Sequence, residues 1–251
     1  MKSGIIINTM KKQPIDTIKK LTDERYALAK AVFWAGSVSQ DQATESSDLD
    51  LVIVFESIPY AYREAYIYDG WPIDTFVHDA STLKYFFEES KSGNGISGLI
   101  EMILGGREIL NNNDFSNTIR DIATQYKTSG PSVWSQDKID LERFLITDIL
   151  DDIKFPRNRA EQIASTAHLF EPLLQFYFRA NGNWTASAKS LIRLLQSENP
   201  SLAAEYNQSF EILFQTGDVK GLEKVLSQIL APYGGLLWDG FRSNAAPEYR
   251  L

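Results

Sequence analysis

The chain has 251 residues, of which 43% are apolar and 23% charged, and its formal net charge is −8. It contains no cysteine and two histidines, which excludes disulfides, thiolate metal sites and a cysteine nucleophile and argues against a multi-histidine zinc site. The acidic balance argues against a broad nucleic-acid surface, because such a surface needs a basic face. No apolar run reaches the roughly 18 residues of a membrane span, and the N-terminal one is too short for a secretory signal, so a cytoplasmic protein is expected.

The first quarter of the chain predicts a helix and two strands. Apolar spacing favours an amphipathic helix over residues 15–30, followed by a short buried strand, Ala31–Ala35. Gly36–Ser47 is polar and without periodicity, which indicates a loop or a short helical turn. Asp48–Glu56 is the most apolar strand candidate. Its unbroken apolar run predicts a central strand that helices cover on both faces.

A hairpin is predicted after Pro59. Tyr62–Tyr68 and Trp71–His78 both have strand patterns, and Asp69-Gly70 between them is a strong two-residue turn signal. Beyond the hairpin the pattern predicts helices at 81–90, 98–104 and 114–126, with a short strand at 107–110. Asp79 is predicted to cap the first of these helices.

Thr128–Ser132 is the best domain boundary in the sequence. Beyond it strand signals nearly vanish, and helices are predicted at 137–154, 158–180, 185–197, 200–214 and 218–231. The last twenty residues are predicted to be irregular. The sequence therefore predicts an α+β fold, with a catalytic domain at 1–130 and a helical bundle domain at 131–251.

Residues whose side chains could bind a metal ion or a phosphate are concentrated around the predicted central strand. Asp48 and Asp50 flank Leu49, and side chains alternate faces along a strand, so both carboxylates are expected to point the same way. Two adjacent carboxylates repel each other unless a cation lies between them, and Mg²⁺ prefers such oxygen ligands. Upstream, Gly36 and Ser37 offer backbone N–H groups and a hydroxyl that can hold a phosphate.

Asp74 completes the set if the hairpin lies beside the strand that carries the first two acids. A third carboxylate can share a second metal ion or take the proton from an attacking hydroxyl. A phosphate-binding turn that faces three acids suggests phosphoryl or nucleotidyl transfer.

In this arrangement the sequence resembles the nucleotidyltransferase superfamily that includes DNA polymerase beta. The matched pattern is Gly36-Ser37, ten residues, Asp48-Leu49-Asp50, and Asp74 after a hairpin. The small size and the helical second half resemble the antibiotic nucleotidyltransferases of that superfamily, the aminoglycoside and lincosamide enzymes. The resemblance implies a short mixed sheet with helices, and Mg²⁺ held with a nucleoside triphosphate by Asp48 and Asp50. It further implies phosphate contacts from Gly36 and Ser37, and Asp74 as the base or a further metal ligand.

A shorter match concerns the second half. Lys189 resembles the lysine with which the streptomycin and spectinomycin enzymes contact the triphosphate. The arginine that those enzymes carry about thirteen residues earlier is not matched, because Phe176 stands there and Arg179 lies nearby. Arg157 and Arg159 are further candidates for a phosphate contact, and His78 is expected to be structural.

The resemblance predicts transfer of a nucleoside monophosphate, AMP from ATP, to a hydroxyl of a small molecule, of which an antibiotic is one class. Neither nucleic acid nor membrane is an expected partner, and a homodimer is a hypothesis from family analogy alone. Two alternatives stay open: a protein-modifying member that adds AMP to a partner, and a non-catalytic nucleotide-binding member. The sequence leaves the acceptor, the base preference, the oligomeric state and catalytic competence open.

Overall fold

The computed structural model of the chain describes residues 13–39, 47–110 and 113–244. The protein consists of two compact units. The first, the sheet unit, comprises the residues up to Lys91 together with Ser97–Ser129. The second, the helical unit, comprises Ser92–Ile96 and the residues from Gly130 onward. A sheet with helices in one unit and helices in the other confirm the predicted α+β fold class.

Strands and helices of the sheet unit follow the predicted order closely. The described strands are β1 (Ala31–Ala35), β2 (Leu49–Val54), β3 (Tyr62–Tyr68), β4 (Trp71–His78) and β5 (Arg107–Glu108). The described helices are α1 (Pro14–Arg25), α2 (Gly36–Ser39), α3 (Ala80–Ser92), α4 (Gly98–Gly105) and α5 (Asp114–Ser129).

The five strands form one mixed sheet in the order β3-β4-β2-β1-β5. β2 and β4 run parallel, whereas the other neighbouring pairs run antiparallel. β2 lies in the middle, and Leu51–Val54 are fully buried, as the unbroken apolar run predicts. Because β2 and β4 run parallel, their N-terminal ends lie at the same edge of the sheet.

The two faces of β2 have different surroundings. Leu49, Leu51 and Ile53 point to one face and pack in a cluster with Ile18 and Leu21 of α1. Because side chains alternate along a strand, Asp50 points to the opposite face. Burial of these apolar side chains on one face therefore determines that the Asp50 carboxylate points to the other face.

The β3–β4 hairpin is confirmed at the predicted turn. Asp69 and Gly70 have φ angles of 46° and 82°, and two positive φ angles in succession are typical of the type I′ turn. The turn sets the register, in which Tyr68 lies opposite Trp71 and Ala65 lies opposite Asp74. Asp79 caps the next helix as predicted, since its Oδ1 accepts a hydrogen bond from the N–H of Thr82 at 2.8 Å.

The predicted helix over residues 15–30 is wrong in its last five residues, because α1 ends at Arg25. Tyr26 leaves the helix and is 3% exposed, with its hydroxyl hydrogen-bonded to Glu64 and Tyr66 of β3. Leu28, beyond the end of the helix, is 80% exposed. The backbone N–H of Lys30 already donates a hydrogen bond to the carbonyl of Val54 at 2.7 Å. Pairing with the sheet therefore ends the helix earlier than the local pattern indicates.

Glu108 carries a carboxyl group that packing removes from water. Its Oε1 accepts a long hydrogen bond from the N–H of Val32 at 3.4 Å, and its Oε2 is buried without a partner among the described residues. Desolvation raises the pKa of Glu108 to about 7, although that N–H and the charge of Arg120 oppose the shift. Glu108 therefore keeps its proton in the folded protein at pH values where a free glutamate is ionised.

We expect Glu108→Gln to stabilise the protein above neutral pH. As the pH rises from about 4.5 to about 7, the unfolded chain loses the proton that the folded chain keeps, so wild-type stability falls across this range. The neutral amide removes that cost, and the variant should gain about 1–2 kcal/mol at pH 8, allowing for partial solvent access. Urea unfolding at pH 4 and pH 8 measures the difference, which should vanish at the lower pH. Glu89→Gln, at an exposed glutamate of α3, is the matched control. Equal stability of Glu108→Gln and wild type at pH 8 would contradict the expectation.

All five helices predicted for the helical unit are present. They are α6 (Gln136–Lys154), α7 (Arg159–Ala180), α8 (Ala188–Glu198), α9 (Pro200–Thr216) and α10 (Lys220–Leu230). α10 passes into a 3₁₀ turn, Ala231–Tyr233, and the described residues beyond it are irregular, as predicted. Their buried side chains form one core, in which Leu169 and Phe176 of α7 pack with residues of the other helices.

α8 begins three residues later than predicted. Thr185 lies in an isolated bridge with Ile96, and its N–H donates to the carbonyl of Gly95 at 2.8 Å. That N–H is engaged outside the helix, which explains the later start at Ala188. In the part of the chain that the structure describes, no helix combines the length and apolarity needed to span a membrane.

Candidate functional site

Three carboxylates meet on one face of the sheet, where β2 and β4 begin. Asp50 and Asp74 lie opposite each other in the parallel pairing of the two strands. Asp48 precedes Asp50 by two positions and is expected on the same face. One oxygen of each carboxylate lies within 4.8 Å of the others. The structure thus brings together the three acids that the sequence singled out.

The donor set suits a hard divalent cation. All three groups are carboxylates, which are ligands that Mg²⁺ prefers. Two oxygens on one Mg²⁺ are at most about 4.2 Å apart, so small side-chain rotations would let neighbouring acids share an ion. Asp74 is 8% exposed, whereas the other two acids keep more contact with solvent. The residues therefore fit a hard divalent cation, which Asp48, Asp50 and Asp74 would hold through carboxylate oxygens.

Gly36 directly follows β1 and lies against this cluster. A Cβ atom at this position would lie 2.0 Å from Oδ2 of Asp50, so the carboxylate or the turn would have to move. Its φ of 78° also lies in the left-handed region that favours glycine. Two independent observations therefore favour glycine at this position. The side chain of Ser37 and residues 40–46 lie outside the described part, so the phosphate contact predicted for Ser37 stays a prediction.

Arg63 belongs to the same cluster and was not anticipated from the sequence. Its Nε donates to Oδ1 of Asp74 at 2.9 Å and its Nη2 donates to Oδ2 at 2.6 Å. The planar guanidinium and the carboxylate thus form a bidentate ion pair. Asp74 is thus held by a cation from the neighbouring strand. The signal that could have identified Arg63 is the register of the hairpin, in which Ala65 lies opposite Asp74 and Arg63 is the diagonal neighbour on the same face.

His78 does not fit a role as a proton carrier near neutral pH. His78 is 5% exposed, and burial lowers its pKa to about 4, so it is neutral in the folded protein. Its Nδ1 lies 3.3 Å from Oγ1 of Thr82, and its ring meets that of Phe86 edge-on. These contacts agree with the structural role expected for His78. His168 is exposed on α7 in the helical unit.

The predicted phosphate residues of the second half all lie in the helical unit. Lys189 is exposed in the first turn of α8, and its contact with a triphosphate stays a prediction. Arg179 is 1% exposed and donates to the carbonyl of Ser132 at 2.8 Å. Arg159 donates to the carbonyls of Leu213 at 2.7 Å and Phe214 at 2.6 Å, at the end of α9. Arg159 is therefore engaged in holding α9 to α7.

The helical unit also contains a polar cleft of about 630 Å³. Amide and tyrosine side chains dominate its lining, including those of Asn181, Asn183, Gln228 and Tyr233. None of the residues predicted for catalysis or phosphate binding is among its lining residues in the described part of the chain.

Comparisons with known proteins give a structural likeness. No protein-family model matches the chain, and no curated protein matches it. Among solved structures, the protein is similar to a nucleotidyltransferase-like protein from Exiguobacterium sibiricum 255-15, with 13% sequence identity and a TM-score of 0.43. The likeness covers 88% of this chain and 76% of the other. A similarity of that degree assigns neither an activity nor a substrate to this protein.

Proposed function

We propose that the protein is a metal-dependent nucleotidyltransferase that moves AMP from ATP to a hydroxyl group of a small molecule. The observation that supports this best is the meeting of Asp48, Asp50 and Asp74 beside Gly36, the glycine that directly follows β1. The proposal agrees with the family resemblance of the sequence. The net charge of −8 favours a small acceptor over a nucleic acid.

In this proposal Asp48 and Asp50 hold Mg²⁺ together with the triphosphate. The bound ion would neutralise the charge that the phosphate oxygens and the departing pyrophosphate carry. Gly36, which has no side chain, lets the phosphates approach the backbone closely. Lys189 contributes a further positive charge to the triphosphate by analogy with the family.

Asp74 acts on the acceptor. Its carboxylate accepts the proton of the attacking hydroxyl while the new bond to the α-phosphorus forms and the bond to pyrophosphate breaks. The proton thus passes to an Asp74 oxygen, and the electron pair of the broken bond leaves with pyrophosphate. Burial of Asp74 and its two hydrogen bonds to Arg63 limit the orientations that the carboxylate can adopt.

A transfer assay tests the proposal. The full chain is incubated with MgCl₂ and ATP labelled at the α-phosphate, with a panel of aminoglycosides, lincosamides and other hydroxyl compounds as acceptors. We expect label to move to at least one small molecule together with release of pyrophosphate, and both to stop when EDTA removes the metal. Label that appears only on a protein would overturn the small-molecule acceptor and favour the protein-modifying alternative. Binding of Mg-ATP without transfer across the panel would favour the non-catalytic alternative.

A further inference from the structure

Arg63 is electrostatically part of the acid cluster, although its side chain is 64% exposed. Its guanidinium carbon lies 4.6 Å from the ring centroid of Phe76, which is opposite Arg63 in the hairpin. The hydrogen bonds to Asp74 raise the pKa of Arg63, and the charges of Asp50 and Asp48 raise it further. One cation thus interacts with all three carboxylates and lies against an aromatic ring that limits its movement.

We propose that Arg63 takes the place of a second metal ion, so that the site binds a single divalent cation on Asp48 and Asp50 while Arg63 neutralises and orients Asp74. The inference rests on the nucleotidyltransferase function proposed above and makes it more specific. Arg63 is a positioning residue in this inference, because it acts through Asp74.

The charge balance supports a single metal ion. Arg63 already places one positive charge on Asp74, next to the position where a divalent cation would bind Asp48 and Asp50. A second divalent ion at Asp74 would lie beside a guanidinium, which has no neutral form at physiological pH, and the two positive charges would repel each other. Removing the arginine charge would remove that repulsion and would leave both oxygens of Asp74 accessible to a second ion.

The geometry of the pair supports the same conclusion. The planar fork of Arg63 engages both oxygens of Asp74, and Asp74 has little remaining exposed surface. An ion that approached Asp74 from solvent would have to displace the guanidinium. Asp48 and Asp50 keep more exposed surface, from which a metal ion can reach them.

Titration of the purified full-length protein with Mn²⁺ alone, followed by electron paramagnetic resonance, tests the inference. Wild type should bind one Mn²⁺ per chain. Arg63→Gln should bind two, and the first should bind about tenfold more tightly because a nearby positive charge is gone. Arg63→Lys keeps the charge and should stay at one. Arg25→Gln is the matched control, since Arg25 also lies over an aromatic ring of β3, at 4.2 Å from the centroid of Tyr66, but outside the acid cluster. Arg25→Gln should bind Mn²⁺ with the stoichiometry and affinity of wild type.

Two results would overturn the inference and leave the proposed function standing. One is binding of two Mn²⁺ by wild type, and the other is an Arg63→Gln variant with the stoichiometry and affinity of wild type. If neither wild type nor Arg63→Gln binds Mn²⁺, the metal site of the proposed function fails, and the inference fails with it. A merely structural role of Arg63 would change the unfolding temperature without changing the number of bound ions.

Discussion

Asp50→Asn should lower nucleotidyl transfer by about a thousandfold or more while the protein stays folded. Asp50 lies opposite Asp74 in the parallel strand pair and within reach of Asp48, so its oxygens are central to the cluster. An asparagine has nearly the same shape but lacks the charge that holds a divalent cation. Transfer of label from α-labelled ATP measures the loss. Circular dichroism confirms that the variant is folded.

The thermal response to metal separates a lost ligand from a damaged fold. In wild type, Mg²⁺ should raise the unfolding temperature, because an ion that binds only the folded state stabilises it. In Asp50→Asn that rise should disappear, because the amide is a much poorer ligand for the ion. Asp121→Asn, at an exposed aspartate of α5, should keep both activity and metal response. A folded Asp50→Asn protein with wild-type transfer would refute the assignment of Asp50.

Gly36→Ala should lower transfer on the order of a hundredfold, from a position that contributes no side chain. The added methyl group would overlap Oδ2 of Asp50 at 2.0 Å, so either the carboxylate or the turn after β1 must move. The left-handed φ of 78° adds about 1–2 kcal/mol of backbone strain for a residue with a Cβ atom. The label-transfer assay measures the first effect, and urea unfolding measures the second.

Gly182→Ala is the control that separates these two effects. Gly182 has a similar φ of 71°, but an added Cβ atom would have no neighbour within 4 Å. We expect this variant to lose about 1 kcal/mol of stability through backbone strain alone and to keep its activity. If both glycine variants lost activity equally, strain and not the contact with Asp50 would explain the result. Full activity in Gly36→Ala would contradict the packing of Gly36 on the cluster.

The central part of the sheet could be predicted because local signals coincide there. The apolar run of β2 and the Asp69-Gly70 turn each indicate one structure, and the turn type implies the pairing of its two strands. The position of the hairpin beside the strand of Asp48 and Asp50 was only a condition of the prediction, and the parallel pairing of β2 and β4 fulfils it. The acids could thus be identified from short stretches of sequence.

Arg63 was not predicted, although the same turn determines its place. With Tyr68 opposite Trp71, counting back along both strands places Ala65 opposite Asp74 and Arg63 diagonally beside it. An exposed arginine on an edge strand has no local pattern that marks it as part of a site. Its role becomes visible only when the hairpin register is used to ask which cation lies across from Asp74.

Other features depend on contacts that a sequence pattern does not contain. α1 ends at Arg25 because Tyr26 meets hydroxyl and carboxylate groups of β3, about forty residues later in the chain. The buried carboxyl of Glu108 depends on the pairing of β5 with β1. The later start of α8 depends on Gly95 and Ile96. Each of these departures follows from a distant partner that overrides a local preference.

The bridge between Ile96 and Thr185 has a consequence for dissecting the protein. Because Ser92–Ile96 group with the helical unit, that unit is discontinuous along the chain, and a single cut after Ser129 cannot release two complete pieces. The N-terminal fragment would carry a five-residue segment without its partner, and the C-terminal fragment would lack the carbonyl that receives the Thr185 N–H. During synthesis this segment leaves the ribosome some ninety residues before Thr185, so its final pairing must wait until most of the protein exists.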